Sequence, residues 1–394
     1  MSTVRVGFVL AQVNWLGGVN YFRNLFLAIQ LLPEAKIQPV VFAGMNSDVS
    51  AFEGIVEIVR TPVLDPKSLP WMVSRFADKI FPKRDYIFYH TLKKHKIDIL
   101  SHFGNLWRDC SIPSICWIPD FQHVHLPHFF TQQEITQRNI AFLNLINRSS
   151  AIVLSSENAL NDLKIFCPQN IAPAYVLRFT PNVTQESTSA ISKNYIQNQY
   201  GLDRPWFHVP NQFWAHKNHG IIIDALYKLK QQGKDILVVS TGSTDDYRNP
   251  DYFITLRKRI NEAGLVENFK ILGVLPYNEV IALMRYSIAV INPSEFEGWS
   301  TTVEEAKSLG KKILLSNISV HQEQAPQRAY FFKPDDANEL AKGMIIAAEE
   351  FDSVFEEKTT QLHQNNNVNR LREFAKNYER IVLQVYTSFA KKDR

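Results

Sequence analysis

Cysteine is scarce: the 394 residues include three, Cys110, Cys116 and Cys167. They show no CxxC spacing and are too few for a disulfide framework, so reduced thiols in a cytosolic protein are the simplest reading. Long hydrophobic runs are missing as well, and nothing approaches the roughly 18 apolar residues that a membrane span requires. The amino-terminal VRVGFVLAQVN is broken by Gln12 and Asn14, and no small-residue cleavage pattern follows. It reads as a first buried strand and not as a secretory signal. Nor is there an excess of charge: 43 basic residues stand against 39 acidic ones, a net +4. That is too mild for wholesale nucleic-acid binding, though it leaves room for a local basic patch. Internal repeats and low-complexity tracts are absent.

What is present is ordinary for a folded protein, with 45% apolar and 21% charged residues over a length that suggests two domains. Short β-branched or aromatic runs alternate with helical patterns, the rhythm of βαβ units and a parallel sheet. Runs at 4–10, 39–42, 97–100, 115–118 and 151–155 predict strands of a domain over 1–180. Phe22, Leu25, Phe26 and Ile29 mark one face of its first helix. Residues 181–200 are polar and read as a linker ending in a helical turn. The rhythm restarts at 205–210 and continues through 235–240, 269–272, 288–292 and 312–316, which defines a second domain over 201–367. The last segment, 368–394, carries Leu371, Phe374, Tyr378, Ile381 and Val382 on one helical face with no strand after it. This helix is expected to cross back to the first domain.

The fold class is therefore α/β, and chemistry is expected at the strand-to-helix turns, where such sheets bind ligands. The Gly17-Gly18 turn after the first strand is not G-x-G-x-x-G. Ile37-Gln38 stand where a ribose-binding acid would be, so a dinucleotide cofactor is not expected. The richest stretch is 292–310, NPSEFEGWSTTVEEAKSLG. A strand should end at Asn292, and a helix should begin near Thr301 or Thr302 and stop at Gly310. A helix amino terminus suits a diphosphate. Glu297 in the loop and Glu305 in the helix suit sugar hydroxyls on either side of it. Against this stands a local alternative: Glu304 follows Thr301 by three residues and Glu305 follows Thr302 by three, so either could close a capping box. A second stretch, FHVPNQFWAHKNHG (207–220), places Lys217 just ahead of a helix capped near Asn218.

The pattern P-S-x-x-E-G-[aromatic]-x5-E-A-x3-G resembles the donor-site motif of the family 4 retaining glycosyltransferases. The resemblance implies the GT-B fold, two Rossmann-like domains facing an inter-domain cleft, with acceptor in the first and nucleotide sugar in the second. It implies that Glu297 lies by the donor sugar and Glu305 holds the ribose. Gly298, Trp299, Ser300, Thr301 and Thr302 would form the loop around sugar and diphosphate, with Trp299-Ser300-Thr301 in place of the commoner Phe-Gly-Leu. Lys217 would neutralise the diphosphate. The arginine that usually accompanies it is missing, since Asn211 and Gln212 occupy those positions. Gly17 and Gly18 would approach the diphosphate from the first domain, and Leu275 would mark the turn that reads the base. CWIPDFQHVHLPHFF (116–130) holds a cluster of histidines, but His123, His125 and His128 do not share a helical face, which disfavours a metal. Aligned with the family, Pro119 replaces its sugar-holding His, leaving Asp120 and His123 to take the role.

The resemblance thus implies a metal-independent hexosyltransferase acting on a glycan or lipid-linked acceptor in surface polysaccharide synthesis, with UDP-glucose as the preferred donor and no separate cofactor. The heterocyst-envelope glucosyltransferases of cyanobacteria are a specific candidate group. Asp245-Asp246 and Asp335-Asp336 sit in turns and do not form a D-x-D metal site. Whether Glu297 is a covalent nucleophile stays open at this level. Two other readings are a UDP-sugar 2-epimerase of the same fold and a catalytically silent scaffold. One patch lies outside the motif: residues 71–96 hold seven Lys or Arg against two Asp, interleaved with Trp71, Phe76, Phe81, Tyr86, Phe88 and Tyr89. It suits an anionic membrane surface, giving a cytoplasmic protein peripheral at the inner face; the alternative is a solvated helix with its aromatics in the core.

Overall fold

A computed structural model describes residues 3–10, 16–80, 85–104, 106–107, 110–183 and 191–392. The chain divides into two compact units. One comprises residues 1–121, 132–182 and 370–394; the other comprises 122–131 and 183–369.

The first unit is built on β1 (Val4–Val9), β2 (Ile37–Ala43), β3 (Glu57–Arg60), β4 (Ile99–Ser101), β5 (Ser114–Ile118), β6 (Ala151–Leu154) and β7 (Ala174–Val176). They form a parallel sheet in the order β3-β2-β1-β4-β5-β6-β7, with Val4 opposite Ile37 and Val6 opposite Ile99. The second unit holds β8 (Trp206–Val209), β9 (Leu237–Ser240), β10 (Phe269–Ile271), β11 (Val290–Asn292), β12 (Ile313–Ser316) and β13 (Ala329–Phe332). Their order is β10-β9-β8-β11-β12-β13, again all parallel. Helices cover both faces of a parallel sheet, so its central strands are apolar on both sides. That is why β6, β8, β9 and β12 are buried at every residue and read as continuous hydrophobic runs.

The strands that the sequence pattern does not announce, β3, β7 and β13, are edge strands that stay partly exposed. Two helical features, near the two ends of the chain, differ from expectation, and a third extends the helical turn expected at the end of the linker. Gly17 and Gly18 do not form a turn ahead of the first helix but lie inside it, in Leu16–Gln30. The polar stretch taken as linker contains a helix, Lys193–Tyr200, capped by Ser192 and closed by Gly201 at φ 59°. The final helix begins fifteen residues before the expected 368 and runs from Ser353 to Lys392. Its residues to 369 belong to the second unit and those from 370 to the first. Leu371, Phe374, Tyr378, Ile381 and Val382 are buried in the first unit, where the Tyr378 ring lies 6.2 Å from Phe8.

Gly310 shows how tightly the early part of that helix fits. Its φ is +62°, and a Cβ built there would meet His363 at 2.5 Å and Thr359 at 2.8 Å. Gly310→Ala is expected to destabilise the protein by about 2–4 kcal/mol, the sum of left-handed strain and overpacking, read as a lower urea midpoint.

Candidate functional site

In a doubly wound sheet the strands flanking the reversal of order diverge at their carboxyl ends and leave room for a ligand. In the second sheet that position lies between β8 and β11. The loops leaving these two strands are the stretches singled out by sequence, 210–218 and 293–300. They meet: Lys217 Nζ lies 2.6 Å from Glu297 Oε1, with the side chains 17% and 11% exposed. The Ser294 hydroxyl donates to Glu297 Oε1 at 2.7 Å. Burial works to raise the Glu297 pKa, but Lys217, His321 and the Ser294 hydroxyl outweigh it and hold the carboxyl below its ordinary value. The group is a carboxylate at neutral pH.

Each member of the pair is held by its backbone. A 3-10 turn, Ala215–Lys217, ends at Asn218 with φ 54°, and the helix His219–Gln231 follows. The side chain of Asn218 does not cap that helix; it donates to the Pro334 carbonyl at 2.8 Å. On the other strand, Ser300 caps the helix Thr301–Ser308 through its hydroxyl. With Ser300 as the cap, the capping-box position is Val303. Neither Glu304 nor Glu305 can close a box, and the local alternative for these residues falls away. Glu304 instead joins Lys307 and Gln324 at 3.0 Å each.

Several residues assigned to donor binding turn out to brace the loops. The Asn211 amide donates to Asn292 Oδ1 at 3.0 Å and accepts from the Thr302 hydroxyl at 3.1 Å. The Asn292 amide donates to the Ser300 hydroxyl at 2.8 Å. Asn211, Asn292, Ser300 and Thr302 are all buried. Their network ties the end of β8 to the end of β11 and to the helix that follows. The Ser300 N–H is taken by Gln324 Oε1 at 3.2 Å and the Val303 N–H by the Ser300 hydroxyl. Among the described residues no acceptor is found for the Thr301 and Thr302 N–H groups, so these are the donors that helix terminus offers. Gly298 and Gln212 are half-exposed, while Trp299 is buried.

Glu305 is 6% exposed. Burial raises its pKa to about 7 despite a hydrogen bond from the Tyr277 hydroxyl. Tyr277 begins the helix that follows the loop of Leu275 after β10, so that turn and Glu305 are neighbours. Because the folded value lies above the ordinary 4.5, the group's contribution to stability is full below pH 4.5 and is lost as pH rises through about 7. Comparing urea midpoints of wild type and Glu305→Gln from pH 4.5 to 8 should show wild type losing ground to the variant as pH rises.

Two participants carry no sequence flag of their own. His321 follows β12, the neighbour of β11, and is fully buried. Its Nδ1 lies 2.9 Å from the Ser316 carbonyl, which fixes the proton there. Nε2 keeps a lone pair with no protein donor among the described residues. Burial lowers its pKa to about 4, so at neutral pH the ring is uncharged beside Glu297 and Lys217 and acts on the Glu297 carboxyl by charge only in acid. The other is Arg248. Its guanidinium lies over Trp214 at 4.9 Å and Phe130 at 5.0 Å, and Nη1 donates to Gln122 Oε1 at 3.0 Å. Asp246, from the pair that looked like a simple turn, accepts the Arg248 and Ala215 N–H groups at 3.1 Å each.

Arg248 thereby anchors Gln122–Thr131, which was expected to belong wholly to the first domain but groups with the second unit. In that segment His123 is buried, edge-on to Phe130. His125 lies 5.1 Å from Phe296, and His128 lies 4.2 Å from Phe129. Asp120 follows β5 in the first unit and is half-exposed. Gly17 and Gly18 belong to the first unit as well. Among the described residues no three His, Cys, Asp or Glu side chains converge as a metal cluster.

Residues 195–367 match the family model described as glycosyl transferases group 1. The O-antigen chain mannosyltransferase RfbU of Salmonella typhimurium is 25% identical over 162 residues, which is 40% of this chain and 43% of that protein. The match therefore spans less than half the length of that curated relative. Among solved structures, Anabaena HepE in complex with UDP and glucose is 16% identical with a TM-score of 0.68, covering 97% of this chain and 100% of that one. A glycosyltransferase from Rickettsia africae is 14% identical with a TM-score of 0.67, covering 99% and 100%. At such identities the likeness is one of fold, and the fold is GT-B, two parallel sheets with alternating helices.

Proposed function

We propose that this chain is a retaining, metal-independent hexosyltransferase that uses a nucleotide diphosphate sugar, UDP-glucose by preference. Its acceptor would be a hydroxyl of a glycan or lipid-linked saccharide in surface polysaccharide synthesis. The observation that carries the reading is the Lys217–Glu297 pair at 2.6 Å, set at the reversal point of the second sheet within a group 1 glycosyl transferase match. A cation beside two helix amino termini is what a departing diphosphate requires. A carboxylate beside that cation is what a sugar ring with developing positive charge requires. RfbU, named a mannosyltransferase of O-antigen, supports the product class, and HepE, crystallised with UDP and glucose, supports the donor.

In the proposed reaction the acceptor oxygen bonds to the anomeric carbon as the bond from that carbon to the β-phosphate oxygen breaks. The bonding pair leaves with the nucleoside diphosphate, and the acceptor proton passes to a phosphate oxygen on the same face. Lys217 and the Thr301 and Thr302 N–H groups stabilise the leaving group. Glu297 stabilises the oxocarbenium-like sugar, and the His321 Nε2 lone pair accepts a sugar hydroxyl. Glu305 holds the ribose. Binding should also be pH-linked, because Glu305 accepts ribose hydroxyls best when ionised. Affinity for UDP is expected to rise as pH passes through about 7, the value to which burial carries Glu305. Calorimetry in two buffers of different ionisation enthalpy should detect the released proton.

The decisive experiment is a thermal-shift panel of UDP, GDP and ADP sugars, followed by proton NMR of the best donor alone and with acceptor glycan. UDP-glucose should give the largest shift, and the product should keep the donor's α configuration. A sugar epimerised in the absence of acceptor would replace this reading with an epimerase. Absence of any shift would leave a binding scaffold.

A further inference from the structure

The helix Leu69–Ile80 is inverted. A surface helix turns its apolar stripe to the core and its charges to water. Here Leu69, Met72, Val73, Phe76 and Ile80, spaced i, i+3, i+4, i+7 and i+11, form one stripe that is exposed throughout, with Leu69 at 70% and Phe76 at 64%. The polar side faces the protein. Ser74 is fully buried, and Arg75 pairs with Asp78 at 3.2 Å and with Asp85 at the start of the helix Tyr86–Lys94. Asp78 also accepts the Asp85 N–H at 2.7 Å. Both acidic residues of the 71–96 stretch are thus turned inward and neutralised. Also exposed, on the segments before and after this helix, are Lys67, His90, Lys93, Lys94 and Lys96. The aromatics divide: Phe88 is core, Phe76 and Tyr86 are outside, and Phe81 lies beyond the described residues.

Five large apolar side chains held in water by an inward-facing ion-pair network need a cover. We propose that this face of the first unit docks on an anionic lipid bilayer, the helix lying in the interface with its stripe among the acyl chains and the lysines on the headgroups. The charge selects the occupant, since an exposed apolar stripe on a stretch whose lysines are exposed and whose acids are turned inward complements a negatively charged surface and repels a second copy of itself. A twelve-residue helix is about 18 Å long, too short to span, and no described helix is long and apolar enough to cross a membrane. The contact is therefore peripheral. It does not depend on the transferase reading, and its test does not measure transfer.

The full chain should co-sediment with vesicles of mixed phosphatidylcholine and phosphatidylglycerol, and at least about tenfold less with phosphatidylcholine alone. Leu69→Ser combined with Phe76→Ser should cut binding by at least about tenfold. Lys93→Glu combined with Lys94→Glu should cut it as well, with melting temperatures unchanged in both variants. Equal binding to neutral vesicles, or undiminished binding by the serine variant, would overturn the proposal. So would a wild-type dimer that the serine variant turns into a monomer, because a second copy would then be the cover.

Discussion

Glu297→Gln should lower turnover by at least about a thousandfold while leaving UDP affinity unchanged or slightly tighter. In the proposed reaction this carboxylate is the group that faces the sugar as it turns cationic. Its partners Lys217 and Ser294 keep it ionised although it is buried. The amide fills the same volume, and the Ser294 hydroxyl can still donate to its oxygen, so the loop after β11 should hold its shape. What disappears is charge, which matters most where the sugar turns cationic. The effect on binding has the opposite sign. In the resting site Lys217 is paired with Glu297 at 2.6 Å, and removing the carboxylate frees the cation for the diphosphate. Steady-state kinetics with calorimetry on the same preparation separates the two effects. Wild-type turnover in the variant would remove Glu297 from the mechanism.

How legible the site was follows from where each residue's partners lie in the chain. Glu297, Gly298, Ser300 and Glu305 sit within one loop and the helix it starts, so a contiguous motif carries them. Lys217 was legible by its place before a helix amino terminus, but its pairing with Glu297 spans two strands and appears only when β8 and β11 become neighbours. The same holds for the network of Asn211, Asn292, Thr302 and Ser300. In sequence these were polar residues near a donor; in the fold they hydrogen-bond one another and stiffen the two loops. His321 and Arg248 were invisible because their roles come from strand order and a returning segment, which no local spacing encodes. The central strands were legible because burial on both faces leaves continuous apolar runs, whereas the edge strands β3, β7 and β13 had no such requirement. At 71–96 the mixture of basic and aromatic residues was visible, but not which side chains face outward. One inward partner of Arg75 is Asp85, which precedes the next helix, and no spacing within 69–80 encodes that pairing.

Lys217→Met should have the second large effect, lowering kcat/KM by about a thousandfold through both turnover and diphosphate affinity. Its clearest signature is in pH. In the wild type, burial pushes the Glu297 pKa up and Lys217 is the strongest influence bringing it down. Without the lysine, burial dominates, and the carboxyl should titrate above its ordinary value. The acidic limb of the residual pH–rate profile should therefore move to higher pH, since a protonated Glu297 cannot stabilise a cationic sugar. Stability follows with a definite sign. A depressed carboxyl supplies stability that is present above its unfolded pKa and lost as pH falls through its folded one. Lys217→Met removes that contribution and leaves a buried unpaired carboxylate, costing up to about 3 kcal/mol at neutral pH and far less in acid. Adding Glu297→Gln to Lys217→Met should restore most of that stability and none of the activity, a non-additivity measurable by urea unfolding of the four proteins of the cycle. Additive losses of stability would mean that the 2.6 Å pair is not coupled in solution. An unmoved acidic limb would mean that Glu297 is not the group whose ionisation the reaction needs.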